Sequence, residues 1–414
     1  MEKTSKASLL TVFITVFIDM LGVGLVIPVF GHLFLDSNGI LPPGFELAKR
    51  TVLLGLLIAS YPLAQFFGAP ILGALSDRYG RKKILLISLV GTFIGYIVFA
   101  YGILTKNLGL LFISRSLDGF TGGNISTILS ALADLSDPKE KAKNFGLVGM
   151  AFGLGFILGP FIGGKLADPT IISWFNNSTP FFFAALICLI NIFMVILFFV
   201  ETSNTRTHTN ISIFTGFRNI RKALEMENLR TMFIVVFIMT FGFNFFTQFF
   251  QVFLIEKFSY SQSQIGNLFG YMGLWIAFTQ GILTRKISKF ASPEKVLKYS
   301  LFMLAIALPF LLVPSKAIYL FMIIPFISMS NGLTMPNQTA VVSNLSARDS
   351  QGEILGINQS IQSLGMAMPP LIAGFVISFN RNLPILISSA SIFIAWLIFV
   401  FVFKGGKKEV FHEV

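Results

Sequence analysis

Long apolar segments and short polar breaks alternate along the whole of this 414-residue chain. A helix needs about 20 mostly apolar residues to cross the hydrocarbon core of a bilayer. Runs of about that length cover residues 8–35, 51–75, 84–104, 108–134, 144–167, 179–200, 230–255, 263–283, 296–313, 317–343, 354–378 and 382–403. The pattern predicts an all-α membrane protein with twelve transmembrane helices, which we number as spans one to twelve.

The longest polar stretch, residues 201–229, divides the apolar runs into two sets of six. The halves are also related in sequence, because Gly155 and Pro160 of span five recur 210 positions later as Gly365 and Pro370 of span eleven. Parallel halves of this kind build one large class of transporters, with the substrate site between the halves. We therefore predict two pseudo-symmetric six-helix bundles, residues 1–200 and 230–414, joined by a cytoplasmic linker at 201–229.

Composition and charge support a membrane protein and set its orientation. Hydrophobic residues make up 54% of the chain and charged residues 12%, against about a quarter charged in soluble proteins. Of the 31 Lys and Arg residues, 23 fall in the termini and the alternate loops that share one side with them. Loops rich in Lys and Arg stay in the cytoplasm, which predicts that both termini are cytoplasmic. These loops explain the net charge of +12 without a nucleic-acid partner.

The sequence gives no indication of an enzyme or of a bound cofactor or metal. The single cysteine, Cys188, lies inside an apolar run, and the three histidines are scattered without metal-ligand spacing. No nucleophile motif or nucleotide-binding loop occurs. The first apolar run exceeds the core of a signal peptide and lacks a small-residue cleavage site, so we expect it to be retained as span one.

Three charged residues lie well inside predicted spans: Asp19, Arg115 and Asp118. Such residues are costly, at roughly 3 kcal/mol each on insertion scales, and are functional candidates by default. Arg115 and Asp118 share a helix face and can pair. At 1.5 Å per residue, both carboxylates lie about 15 Å from the inner boundary, near the midplane. A carboxylate that alternates between a dry site and the neighbourhood of a guanidinium changes its proton affinity, so it can load and release a proton. A static network that only orders the helices, or a cation-binding role for Asp19 toward the substrate, are the alternatives.

The break between spans two and three, Gly73–Leu85, carries one carboxylate among four cations. Its cations place it on the cytoplasmic side. Gly80 lets the chain reverse tightly, because glycine takes positive φ without steric cost. A merely topogenic loop needs only cations, whereas Asp77 beside Arg78 and Arg81 indicates a further partner.

Spans of the second half carry amides rather than charges. Asn244, Gln248 and Gln251 recur at spacings of four and three and form a polar stripe on span seven, among several phenylalanines. Asn331 and Gln338 lie on span ten, and Asn358 and Gln362 on span eleven. Amides among aromatic rings suit a mostly apolar, neutral or weakly charged ligand. Hydrogen bonding between helices is an equally good explanation for any single amide.

Four segments resemble one known family. Gly73-Ala-Leu-Ser-Asp77-Arg78-Tyr-Gly80-Arg81-Lys82-Lys83 resembles the loop 2–3 signature of the major facilitator superfamily, and the segment from Arg115 to Gly123 resembles the span-four signature. Span five matches the G-x-x-x-G-P-x-x-G-G pattern of drug/proton antiporters through Gly155, Gly159, Pro160, Gly163 and Gly164. Span one, from Asp19 to Pro28, is similar to that of bacterial tetracycline/proton antiporters.

The resemblance implies a fold, a mechanism and roles for the loop. It implies a twelve-helix transporter of the bacterial inner membrane, acting as a monomer on small molecules and protons. In the family, the loop aspartate, here Asp77, faces the start of span eleven. The second loop arginine, here Arg81, pairs with an acid that ends span four, here Asp134. Together with Gly73, Arg78 and Gly80, these residues would form a gate that latches the halves.

Two departures weigh against tetracycline itself as the substrate. Tetracycline antiporters carry an acid in span three, where this chain has Gly95-Tyr96, and another in span nine, where it has none. We predict a proton-coupled exporter of small amphiphilic compounds. The alternatives are an importer of a metabolite, peptide or siderophore on the same fold and a membrane receptor that transports nothing.

Overall fold

The structure, a computed structural model, describes residues 2–36, 39–135, 141–202, 214–345 and 351–403, and helices occupy all twelve predicted spans. The α-helices are α1 Glu2–Leu35, α2 Leu47–Tyr79, α3 Arg81–Leu104, α4 Leu108–Thr121, α5 Ile125–Asp134, α6 Lys141–Leu166, α7 Thr179–Phe198, α8 Thr215–Glu225, α9 Glu227–Phe258, α10 Gln262–Phe278, α11 Thr284–Ile287, α12 Pro293–Ala307, α13 Leu320–Leu345, α14 Gln351–Phe379 and α15 Leu383–Phe401. The predicted all-α class is confirmed.

Spans four and eight contain turns that are not α-helical, and span nine ends in one, the 3₁₀ turn Leu308–Leu312. Span four consists of α4 and α5, joined by a 3₁₀ turn at Gly122–Asn124. Span eight consists of α10 and α11, joined by a π-helical turn at Thr279–Leu283. Within the described residues, nine helices are long and apolar enough to cross a membrane, so the count of twelve crossings stays a prediction.

The chain divides into two compact units, Met1–Phe214 with Tyr260–Gly273, and Thr215–Ser259 with Leu274–Val414. The division falls inside the predicted linker, and the first part of span eight packs with the first unit. The bundle limits at residues 200 and 230 remain a prediction.

Each unit has an apolar core built from its own spans. In the first unit, Phe99 stacks on Phe181 with ring centroids 4.2 Å apart. In the second unit, α9 contributes four phenylalanines with 1% exposure or less, Phe245, Phe246, Phe249 and Phe250. These phenylalanines of span seven therefore pack in the core of the second unit. The amides of span seven lie next to them along the helix.

Candidate functional site

The two intramembrane acids, Asp19 and Asp118, line the same small cavity in the first unit. The cavity has a volume of about 10 Å³, which is roughly the room that one water molecule needs. Asp118 is buried and Asp19 is partly accessible. The polar side chains that line the cavity are Asp19, Tyr61, Thr92, Tyr96, Asp118 and Asn124. The cavity is therefore lined by polar residues from four helices, α1, α2, α3 and α4, and from the 3₁₀ turn of span four.

Arg115 is held by Asp118 and by two aromatic rings. Its Nη1 donates to Asp118 Oδ2 at 3.1 Å, as the spacing of three residues predicts. The guanidinium carbon lies 4.5 Å from the ring centroid of Tyr61 and 5.4 Å from that of Phe30. Cation–π contacts of this kind stabilise a cation that has left water. The cation is thus fixed beside one carboxylate of the cavity.

Asn124 is a member of the cavity that sequence reasoning missed. Its side chain is 1% exposed, and its Nδ2 donates to Asp19 Oδ2 at 3.1 Å. The 3₁₀ turn that ends at Asn124 frees a backbone carbonyl at Gly122, which accepts from Gln65 Nε2 at 3.0 Å. The available signal was the Gly122-Gly123 pair in span four, because adjacent glycines commonly mark a break in a helix.

The charges of this cluster do not cancel. With both acids ionised, Asp19 and Asp118 carry two negative charges against the one positive charge of Arg115. An uncompensated charge inside the hydrocarbon region is costly. One further positive charge would neutralise the three side chains, and its carrier would have to fit a cavity that holds about one water molecule. A proton on a carboxylate meets both conditions.

The predicted loop Gly73–Leu85 is mostly helical, because α2 ends at Tyr79 and α3 begins at Arg81, which leaves Gly80 alone between the two helices. Gly80 has φ +102°, a conformation that favours glycine. Arg81 Nε donates to Asp134 Oδ2 at 3.3 Å, so the pair implied by the resemblance is present. Arg81 also pairs with Asp77 and donates to Ser76 Oγ at 2.6 Å. Asp77 was expected to face the start of span eleven, which is the start of α14 at Gln351 in the second unit, and this contact stays a prediction.

Glu201, at the end of span six, is a second residue that the sequence analysis missed. Its carboxylate accepts hydrogen bonds from the backbone N–H groups of Arg81, at 2.8 Å, and Lys82, at 3.2 Å. These groups belong to the first turn of α3, where N–H groups have no partner within the helix. A carboxylate there also meets the positive end of the helix dipole. The link joins residues 120 positions apart, so the chain order alone did not reveal it.

We expect Glu201→Ala to loosen the start of α3 and to lower the stability of the purified protein. Loss of a capping acceptor costs about 1 kcal/mol, which should lower the apparent melting temperature in detergent by a few degrees. Glu225→Ala is the matched control, because Glu225 pairs with Arg221 on an exposed helix surface. Equal melting temperatures for both variants would show that the Glu201 contact contributes nothing.

The span-five motif packs α6 against α1, the helix that carries Asp19. A Cβ added at Gly159 would lie 2.6 Å from the carbonyl oxygen of Leu21 and 2.7 Å from the Cα of Gly24. Gly155 faces Met20, and Gly163 faces Leu25. Pro160 and Gly164 lie against Gly266 of α10. Small residues allow this close approach of helix backbones in a membrane, so the motif sets the position of Asp19.

Gly159→Ala is expected to disrupt this packing, because the new methyl group meets backbone atoms that cannot rotate away. Overpacking typically costs about 1–3 kcal/mol, so the monodisperse folded fraction and the melting temperature should both fall. Gly281→Ala provides the control, since a Cβ there meets nothing within 4 Å. Normal stability of the Gly159 variant would mean that α1 and α6 separate without cost.

The amides predicted to bind substrate lie in the second unit, and the structure brings only the span-seven set together. Gln248 Nε2 donates to Asn244 Oδ1 at 3.4 Å, and Gln251 Nε2 donates to the carbonyl of Gln248 at 3.2 Å. On α13, Gln338 is 1% exposed, and among the described residues neither polar atom of its amide has a hydrogen-bond partner.

The remaining amides sit on α13 and α14. The Oδ1 atoms of Asn331 and Asn358 are also buried and lack a partner within the described part of the chain. Gln362 is partly accessible on α14. Buried amides without partners are costly, which makes these helix faces candidates for contact with a hydrogen-bonding ligand.

Comparison with known proteins identifies the family of the chain. The model of the Major Facilitator Superfamily matches residues 12–370 and 232–410. The chain is 28% identical to the class B tetracycline resistance protein of Escherichia coli over 375 residues, which cover 89% of this chain and 87% of the relative. It is 30% identical to multidrug resistance protein 1 of Bacillus subtilis (strain 168) over 390 residues, 93% of each chain.

Solved structures share the fold. The D-xylose-proton symporter superposes with a TM-score of 0.78 at 15% identity, over 97% of this chain and 99% of the symporter. The human organic anion transporter MFSD10 (TETRAN) superposes with a TM-score of 0.72 at 23% identity, over 95% of this chain and 99% of MFSD10. The family match extends over nearly the whole chain, and the fold is that of solved membrane transporters. The chain therefore belongs to the major facilitator superfamily and is a multi-pass membrane transporter, not an enzyme.

Proposed function

We propose that this transporter exports small amphiphilic compounds in exchange for protons. The observation that carries the proposal is the cavity of about 10 Å³ lined by Asp19 and Asp118, since the neighbouring Arg115 compensates only one of their two negative charges. A drug-sized ligand needs a pocket of roughly 300–1,000 Å³. The acid cluster is therefore too small for the substrate and suits a proton.

Asp19 is the better candidate for the group that exchanges the proton. It is partly accessible, whereas Asp118 is buried and pairs with Arg115. Asn124 donates to Asp19, which favours the ionised carboxylate once the proton has left. In the proposed cycle, Asp19 takes a proton from outside, and the neutral cluster permits the conformational change. It then releases the proton to the cytoplasm.

The substrate is proposed to bind amides and aromatic rings of the second unit rather than charged groups. The candidates are Asn244, Gln248, Gln251, Asn331, Gln338, Asn358 and Gln362. The unpartnered amide of Gln338 supports this assignment, because a ligand with hydrogen-bonding groups would satisfy it. Relatives named for tetracycline and multidrug resistance support a substrate of drug size.

The test uses purified protein in liposomes that enclose a pH-sensitive dye and start with an acidic interior. Amphiphilic drugs, sugars and amino acids are added outside, one at a time. Antiport predicts that a drug triggers proton efflux and that the interior becomes more alkaline. Proton movement in the same direction as a nutrient would replace the proposal with a symporter, and liposomes without protein control for leakage.

A further inference from the structure

We propose that a groove between α12 and α13 is a binding site for one acyl chain of a membrane phospholipid. The groove lies in the second unit, has a volume of about 450 Å³ and is lined almost wholly by apolar side chains. Helix α12 and the turn that follows it contribute Phe302, Ile306 and Phe310, and α13 contributes Met322, Phe326 and Ser330. The inference is independent of the proposed transport reaction.

A proline lies in each of the two segments that border the groove. Helix α12 passes at Leu308 into a 3₁₀ turn, Leu308–Leu312, which contains Pro309. On the facing helix, Pro325 lies inside α13. Proline removes a backbone donor and bends a helix, so the two chains cannot keep continuous ridge-into-groove contact here. The gap is thus encoded by two prolines.

The exposed lining and its length fit a single leaflet. Phe310 is 54% exposed, Met322 70% and Phe326 60%, which in a membrane span means contact with hydrocarbon. From Phe302 to Phe310 the helix rises about 12 Å. Half of the hydrocarbon core is roughly 15 Å thick. The groove therefore accommodates an extended acyl chain from the interface to near the midplane.

Two lysines lie at the turn that follows the groove residue Phe310, on the side where we place the lipid headgroup. Lys316 is exposed in the turn that joins the two spans. Lys257 Nζ donates to the carbonyl of Leu312 at 2.7 Å, so it is held at the same level. The ammonium groups of these lysines complement the phosphate of a phospholipid. Their positive charge therefore favours a phospholipid in the groove over a purely apolar molecule.

The test counts the lipids retained by the full-length protein in native mass spectrometry after exchange from phosphatidylglycerol nanodiscs into detergent. Ala307 also lines the groove, so Ala307→Trp places a large ring in it. We expect one phospholipid on the wild type and an occupancy about tenfold lower for Ala307→Trp. Loss of the burial of only about two methylene groups already weakens such a contact roughly tenfold. Leu186→Trp is the matched control, because Leu186 is 55% exposed on α7 and is not one of the residues that line the groove. Lys316→Gln should also lower occupancy.

A fluorescence measurement locates the chain and does not depend on a bulky substitution. Trp396 contacts Phe302, with ring centroids 4.8 Å apart. In a Trp174→Phe, Trp275→Phe background, phospholipid brominated on its acyl chain should quench Trp396 with saturation at a low mole fraction. Quenching of Trp396 that rises only in proportion to the bulk lipid would overturn the proposal. Equal lipid retention by Ala307→Trp and Leu186→Trp would overturn it as well. So would a mass corresponding to a second copy of the chain instead of a lipid.

Discussion

Arg115→Leu is expected to yield little folded protein, and the small folded fraction should not transport. The substitution removes the cation that pairs with Asp118, so the two carboxylates that line the cavity lose this counter-charge. Breaking one side of a buried pair typically costs about 3–5 kcal/mol, because the partner stays buried and uncompensated. The stacking of the guanidinium on Tyr61 is lost as well. The measurement is the monodisperse fraction in size-exclusion chromatography, followed by melting temperature.

A double variant separates the charge effect from lost packing. In Arg115→Leu with Asp118→Leu, both members of the pair are apolar, and replacing a buried pair in this way is often neutral. We expect the double variant to recover most of the folded fraction but not transport. Arg221→Leu, which removes an 83% exposed arginine, should behave as wild type. If Arg115→Leu alone folds normally, the charge balance assigned to the cavity is wrong.

The sequence predicted the elements and the buried charges because both depend on local properties. Apolar runs locate the spans, and the rise per residue places Asp19 and Asp118 at one depth. The structure then places both on one cavity. Tyr96, one of the two residues Gly95-Tyr96 at which the resemblance implies an acid, lines the same cavity. The cavity has its second carboxylate, Asp118, from span four.

Contacts between distant segments were harder to predict. Asn124 is a neutral amide, so it gave no signal of the kind that a buried charge gives. Glu201 lies in a polar stretch rich in charges, and nothing in that stretch indicates which backbone groups its carboxylate binds. The contacts of both residues depend on how the helices pack against one another, and the order of residues along the chain does not reveal that packing. Within the described residues no hydrogen bond joins the amides of spans ten and eleven, so their role rests on the sequence pattern and their burial.

Asp19→Asn is expected to abolish proton-driven accumulation of substrate while leaving the protein folded. Asparagine has nearly the same shape and cannot exchange a proton. The buried cluster then holds only Asp118 and Arg115, whose charges cancel. Folding should therefore be unaffected, and the conformational change should no longer require protonation. We expect substrate to equilibrate across the membrane at a measurable rate but without concentration against its gradient.

Asp36→Asn provides the matched control for this variant. Asp36 follows the same helix, has a 50% exposed side chain and contacts His32 at 3.1 Å, outside the cavity. It should keep full gradient-driven uptake into inverted vesicles. The comparison distinguishes coupling from mere binding, since loss of substrate binding would abolish both equilibration and accumulation. Full accumulation by Asp19→Asn would contradict the assignment of the proton to Asp19. The proton would then have to reside on Asp118, because that is the other carboxylate lining the cavity.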